Sequence, residues 1–208
     1  VVVFGGHLPG RNNPIVYTED YWETPLGALA LDVAFASDLV ADGAAQAAYR
    51  DFADNTVEIQ LPFVKHFFPD SQLIAVHAPS SEQAVQLGEL VEEMLQLRGL
   101  TGVYFGSADL THYGPNYGFV PHSTGSAAVA WVKEENDRSL IEKALIMDAT
   151  GLIKDAQTKQ NTCSAGPIAS VIASMSLRGV HAGKLIEYYT SYDIAPSSSF
   201  VGYAAIVY

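Results

Sequence analysis

Three polar clusters in this sequence combine residue types able to ligate a metal or move a proton. They are Gly5-Gly6-His7, Ser107-Ala108-Asp109-Leu110-Thr111-His112-Tyr113-Gly114 and Asn161-Thr162-Cys163-Ser164-Ala165-Gly166-Pro167. Cys163 lies just ahead of a helix start signalled by Gly166-Pro167, where free N–H groups and the helix dipole favour an anion. Such a place lowers a thiol pKa and makes a nucleophile or metal ligand available. The bland alternative is an inert core cysteine, and the flanking Asn161, Thr162 and Ser164 argue against a dry site. Asp109 and His112 stand three apart in a glycine-bounded loop. Histidine exchanges protons near neutral pH and a carboxylate can fix its tautomer, so the pair suits acid–base catalysis or is simply a loop hydrogen bond. His7 is ambiguous alone, and its pairing with Cys163 as metal ligands requires the fold to bring them together. Glu58 reads as a pocket carboxylate or as a first-turn helix residue complementing the dipole. His66, His77, His122 and His181 lack a polar constellation and read as structural.

The elements that must position these residues follow from apolar patterning. Residues 1–4 form a continuous apolar run, a buried strand that should end in a tight turn at Gly5-Gly6. Residues 73–78 and 102–106 read as further buried strands, and 184–191 and 200–208 as a closing pair. Helices are expected over 28–39, 61–68, 83–97, 126–144, from about 149, and 166–177. Alternating strands and helices define a layered α/β/α fold, and the C-terminal pair, joined by a turn, makes its central sheet mixed. In such sheets ligands gather at the carboxyl ends of strands, where the three polar clusters fall.

Composition narrows the function. At 208 residues, 49% of them apolar, the chain suits one domain spanning 1–208. A strand at the very start suggests that an upstream segment is missing. The net charge of −12 repels phosphate backbones, so nucleic acid is an unfavourable partner. Apolar runs fall far short of the roughly 20 residues needed to span a bilayer, so no membrane insertion is expected. One cysteine excludes an internal disulfide and, without a secretory signal, points to the cytoplasm.

Five segments, in order, resemble the Memo family. Asn55-Thr56-Val57-Glu58-Ile59-Gln60-Leu61-Pro62-Phe63 is similar to its Glu-His-Ser-(Ile/Leu)-Glu-x-Gln-Leu-Pro-Phe. The stretch from Ser107 to Gly114 resembles Ser-Ser-Asp-x-(Ser/Cys)-His-(Tyr/Trp)-Gly, and Asn161-Thr162-Cys163-Ser164-Ala165-Gly166 resembles its Asn-Thr-x-Cys-Gly region. Tyr21-Trp22-Glu23-Thr24-Pro25-Leu26-Gly27 and Ser199-Phe200-Val201-Gly202-Tyr203-Ala204-Ala205 match its Tyr-x-Thr-Pro-Leu-Gly and Ser-Val-Gly-Tyr-Ala-Ala.

The family includes eukaryotic Memo proteins and the AmmeMemoRadiSam system protein B, and its fold resembles LigB-like class III extradiol dioxygenases. The resemblance implies His7 and Cys163 as ligands for Fe(II) or copper, with His112 and Asp109 as acid/base and Cys163 also catalytic. It further implies Asn55 and Glu58 on the substrate side. Three positions depart. The family's Gly-Pro-Ser-His-His is shortened to Gly5-Gly6-His7, the histidine of Glu-His-Ser is Asn55, and the Pro-His-Ala-Gly ligand would lie upstream of Val1. Weak metal binding by this form is therefore expected. Two functions compete: a metal-dependent redox enzyme, and a non-catalytic module binding a small molecule or peptide in the same cleft.

Overall fold

The computed structural model describes residues 1–49, 52 and 54–208. Its centre is β1 (Val2–Leu8), whose apolar run is buried on both faces, as a middle strand requires. β1 pairs in parallel with β6 (Ile74–Pro79) and with β7 (Tyr104–Gly106). β2 (Ile15–Val16) lies antiparallel to β6 and parallel to β5 (Gln46–Ala47), giving the mixed order β5-β2-β6-β1-β7. β3 (Tyr21–Trp22) and β4 (Leu29–Ala30) form a separate antiparallel pair.

Alternation along β1 divides the core. Val2 and Phe4 pack on one face with Leu87 and Val91 of α4 (Glu82–Leu97), Leu152 of α7 (Ala149–Lys159) and Ile172 of α8 (Ala165–Leu177). Phe35 and Leu39 of α1 (Val33–Ala41) join the same cluster. Val3 packs on the other face with Tyr17, Leu29 and with Leu61 and Val64 of α3 (Leu61–Phe67), which follows the short α2 (Asn55–Glu58). Helices thus cover both faces of the mixed sheet, an α/β/α arrangement. α8 is drawn close to α4 because Gly88 leaves room for it: a Cβ there would stand 2.2 Å from the Ser170 carbonyl oxygen. Ser170 and Ser174 hydroxyls donate across to the Ala84 and Gly88 carbonyls, both at 2.8 Å.

Several sequence expectations are corrected. β1 does not turn at Gly5-Gly6 but runs on to Leu8. The glycines serve close packing instead: a Cβ on Gly5 would meet Val57, His77 and Thr56 within 2.8 Å, and one on Gly6 would sit 2.5 Å from Ser164 Cβ. The helix expected over 28–39 starts later, because the Asp32 side chain accepts the Phe35 N–H and caps α1 there. The long helix from Ser126 is α5 (Ser126–Trp131), a π-wound stretch (Val132–Asn136) and α6 (Asp137–Leu145). The closing strands are β9 (Lys184–Thr190) and β10 (Phe200–Val207), with the short α9 (Ser191–Ile194) after β9. They join β8 (His112–Tyr113) in a separate antiparallel sheet, β8-β10-β9, so β2 is what mixes the central sheet.

Candidate functional site

The loop leaving β7 and the entrance to α8 lie side by side. Leu110 and Thr162 form an antiparallel bridge, Cys163 N–H donates to the Asp109 carbonyl at 3.1 Å, and the Thr162 hydroxyl donates to the same oxygen at 2.6 Å. In return Asp109 N–H donates to Cys163 Sγ at 3.2 Å. His112 Nε2 lies 3.2 Å from Asp109 Oδ2, and the Tyr117 ring packs 4.8 Å from the imidazole centre. Ligand atoms of Asp109, His112 and Cys163 therefore all fall within 4.8 Å of one another.

A buried network holds this loop from below. Thr111, between Asp109 and His112, gives its N–H (3.0 Å) and hydroxyl to Asp137, which is fully buried at the start of α6. Tyr188 donates to the other Asp137 oxygen at 2.7 Å. Asn136 Nδ2 donates to the Thr111 hydroxyl at 2.9 Å, and Asn161, at the α8 entrance, donates to the Asn136 carbonyl at 3.0 Å. Burial pushes the Asp137 carboxyl above the ordinary range despite its three donors.

The sequence expectation for Cys163 is overturned. Its thiol is pushed up to about 11, by burial first, with the Asp109 and Asp54 carboxylates adding to it. The helix N-terminus does not rescue the thiolate. Ser164 is the N-cap, and the Ala165 N–H goes to the Ser80 hydroxyl at 3.1 Å rather than to sulfur. A thiol so raised is protonated at neutral pH.

His7 stands outside the group of three. It leaves β1 with φ of 61°, and its Nδ1 lies 2.6 Å from Asp54 Oδ2. Its neighbours lie toward the α8 entrance: Gly6 abuts Ser164, and the Asp54 charge acts on Cys163. Asp54 caps α2, accepting the Thr56 N–H at 2.8 Å and the Thr56 hydroxyl, which itself accepts the Gly6 N–H at 2.8 Å. Burial pushes the Asp54 carboxyl up, but hydrogen bonds from Thr56 and His7 outweigh it and hold it below the usual range. Asn55 and Glu58 are exposed on α2, with the Glu58 charge reaching the Tyr17 phenol.

Asp54 and the polar partners of His77 were not foreseen from the sequence. The signal for Asp54 was its place as a capping residue ahead of Asn55-Thr56-Val57-Glu58. His77 sits fully buried in β6 with a polar setting of its own. Its Nδ1 lies 3.0 Å from the Gly6 carbonyl and 3.7 Å from Asp54 Oδ1, and its Nε2 lies 3.3 Å from the Tyr17 hydroxyl. Burial depresses its pKa, so it is neutral, donating through Nδ1 to Gly6 and accepting from Tyr17.

Fold and site together define a layered α/β protein with a histidine–aspartate–cysteine cluster at the carboxyl edge of its central sheet. A family model described as "Memo-like protein" matches residues 1–207. MEMO1 family proteins of Pyrococcus abyssi and Pyrococcus furiosus are each 29% identical over 218 residues, covering 99% of this chain and 75% and 74% of theirs. The MEMO1 family protein of Methanosarcina acetivorans is 28% identical over 212 residues, 99% of this chain and 74% of its own. This chain belongs to the Memo family. Counted from Asn161, the cysteine of Asn-Thr-x-Cys-Gly falls at Ser164, and Cys163 stands one residue ahead of it. The shift matters: Ser164 faces Gly6 of β1, whereas Cys163 faces Asp109 and His112.

Proposed function

We propose that this Memo family member is a metal-dependent redox protein in which Asp109, His112 and Cys163 hold Fe(II) or copper. The convergence of their three donor atoms within 4.8 Å carries the reading. A thiolate, an imidazole and a carboxylate together suit either metal, whereas magnesium and calcium favour oxygen ligands alone. The surrounding carboxylates, Asp109 and Asp54, disfavour a free thiolate but favour a cation, and a bound metal reverses the local pKa logic. Such a metal supplies Lewis-acid and one-electron chemistry.

The chain's own residues divide the remaining tasks. Asp54 holds His7 through Nδ1 and leaves Nε2 to accept or return a proton. Tyr117 braces the His112 ring. Asn55 and Glu58, both exposed on α2, would meet a small molecule or peptide entering beside His7. Anaerobic calorimetry with Fe(II) and with Cu(I) tests the reading. One metal per chain, with affinity lost at least tenfold in both Cys163→Ser and His112→Ala, is expected. Affinity unchanged in both variants contradicts it and leaves the cleft as a non-catalytic binding module.

A further inference from the structure

The three-stranded sheet β8-β10-β9 has two unlike faces. Tyr188 and Gly202 point inward to Asp137 of α6, the Tyr188 hydroxyl at 2.7 Å. Alternation along each strand turns their neighbours the other way. His112 pairs with Val201 and Tyr203 with Tyr189, so all four share the outer face. Next along it comes the pair of Glu187 and the small Ala205, both exposed.

The Tyr189 and Tyr203 rings lie 5.5 Å apart, tilted by 40°, and Tyr189 is 41% exposed. Leu110 N–H donates to the Gly202 carbonyl at 3.0 Å, which brings Asp109 beside Tyr203. The Asp109 charge accordingly acts on the Tyr203 phenol, as do Tyr117 and Tyr189. Aromatic rings thus form a ledge running from His112 and Tyr117 to Tyr203 and Tyr189. A carboxylate stands at each end, Asp109 and Glu187. Asp109 gives Oδ2 to His112, while its Oδ1 accepts no hydrogen bond among the described residues.

The faces of aromatic rings carry negative charge and attract cations. A guanidinium, planar and weakly hydrated, stacks on such faces while its fork of donors matches a carboxylate. An anion is repelled by Asp109 and Glu187 and by the net charge of −12. An uncharged aromatic ligand would leave both carboxylates without a partner. The ledge is an open face rather than an enclosed pocket, so a small free cation gains little area there. A peptide carries further contacts of its own, and Leu185, exposed beyond Glu187 on β9, offers one.

We propose that this ledge seats an arginine side chain of a peptide, its guanidinium over Tyr203 and Tyr189 and between the carboxylates of Asp109 and Glu187. The site stands on the outer sheet face and is independent of any metal at Cys163.

Titration of the metal-free protein, its tyrosine rings isotope-labelled for NMR, with acetyl-Leu-Arg-Leu-amide tests it. Saturable shifts of the Tyr189 and Tyr203 ring signals are expected. The same peptide with citrulline in place of arginine keeps the shape and loses the charge, and should bind about tenfold more weakly. Tyr203→Leu should weaken the arginine peptide by about the same factor, whereas Tyr203→Phe keeps the ring and the affinity. Asp109→Asn and Glu187→Gln should each cost about threefold. Three results overturn the proposal: arginine and citrulline peptides bound alike, shifts that fall elsewhere than on these rings, and methylguanidine bound as tightly as the peptide. None of the three needs a variant, so a variant that fails to fold leaves the test intact.

Discussion

Replacing Asp137 by alanine strands three donors in the interior: the Thr111 N–H, the Thr111 hydroxyl and the Tyr188 hydroxyl. Thr111 keeps one partner as acceptor, Asn136 Nδ2, but its two donors lose theirs. At about 1–3 kcal/mol for each stranded donor around a side chain of zero exposure, the three together cost about 3 kcal/mol or more. Asparagine behaves differently. Its carbonyl oxygen still accepts from Thr111, Tyr188 can rotate its hydroxyl to accept from the amide, and the cost of burying a charge disappears. Asp137→Asn should therefore lie within about 1 kcal/mol of the unaltered protein at pH 7. The pH dependence has a definite sign. A carboxyl whose folded pKa lies above its unfolded value binds more protons when folded, so its stabilising contribution is present at low pH and is lost as pH rises through the raised value. The asparagine variant does not titrate there, and must gain relative to the unaltered protein as pH rises from about 4. Urea unfolding followed by circular dichroism, at a series of pH values from 4 to 7, measures both effects. An alanine variant costing under about 1 kcal/mol, or an asparagine variant as unstable as alanine, refutes the reasoning.

Cys163 should alkylate slowly at pH 7. Raised to about 11 from an ordinary 9.0, it holds roughly a hundredfold less thiolate, and Asp109→Asn should speed its reaction with iodoacetamide; a rate equal to that of a free model thiol contradicts this. His77, depressed by burial, binds fewer protons folded than unfolded, so its contribution is full above about pH 6.5 and is lost as pH falls below it. His77→Gln should flatten the acid-side fall in stability between about pH 6.5 and 5, and an unchanged slope would show that other groups set it. Gly88→Ala should destabilise by about 3 kcal/mol or more in urea, because its Cβ meets the α8 backbone rather than a side chain that can move.

The legible parts of this protein were those written in local pattern. The apolar run at the start, the 3.6-residue periodicity of α4 and the proline at the start of α8 placed the middle strand and two packing helices. Asp109 and His112 were legible as a pair because they stand three apart in a glycine-bounded loop. What remained hidden depends on tertiary contact. His77 lies in a strand that reads as wholly apolar, and only the approach of Gly6, Tyr17 and Asp54 gives it polar partners. The Cys163 pKa ran opposite to its helix-end position because desolvation and two carboxylates outweigh the N-terminal field, which Ser80 already satisfies. Gly5-Gly6 reads as a turn in sequence, yet packs as strand because neighbours on both sides leave no space for a side chain. The C-terminal strands fall into their own sheet because β7 and β10 stand apart across a cavity.

X-ray absorption on protein loaded anaerobically with Fe(II) or Cu(I) tests the metal centre proposed at Asp109, His112 and Cys163. One sulfur neighbour of the metal, lost in Cys163→Ser, is expected together with imidazole scattering that is lost in His112→Ala. A spectrum of oxygen and nitrogen neighbours only, identical in the unaltered protein and in both variants, would contradict it.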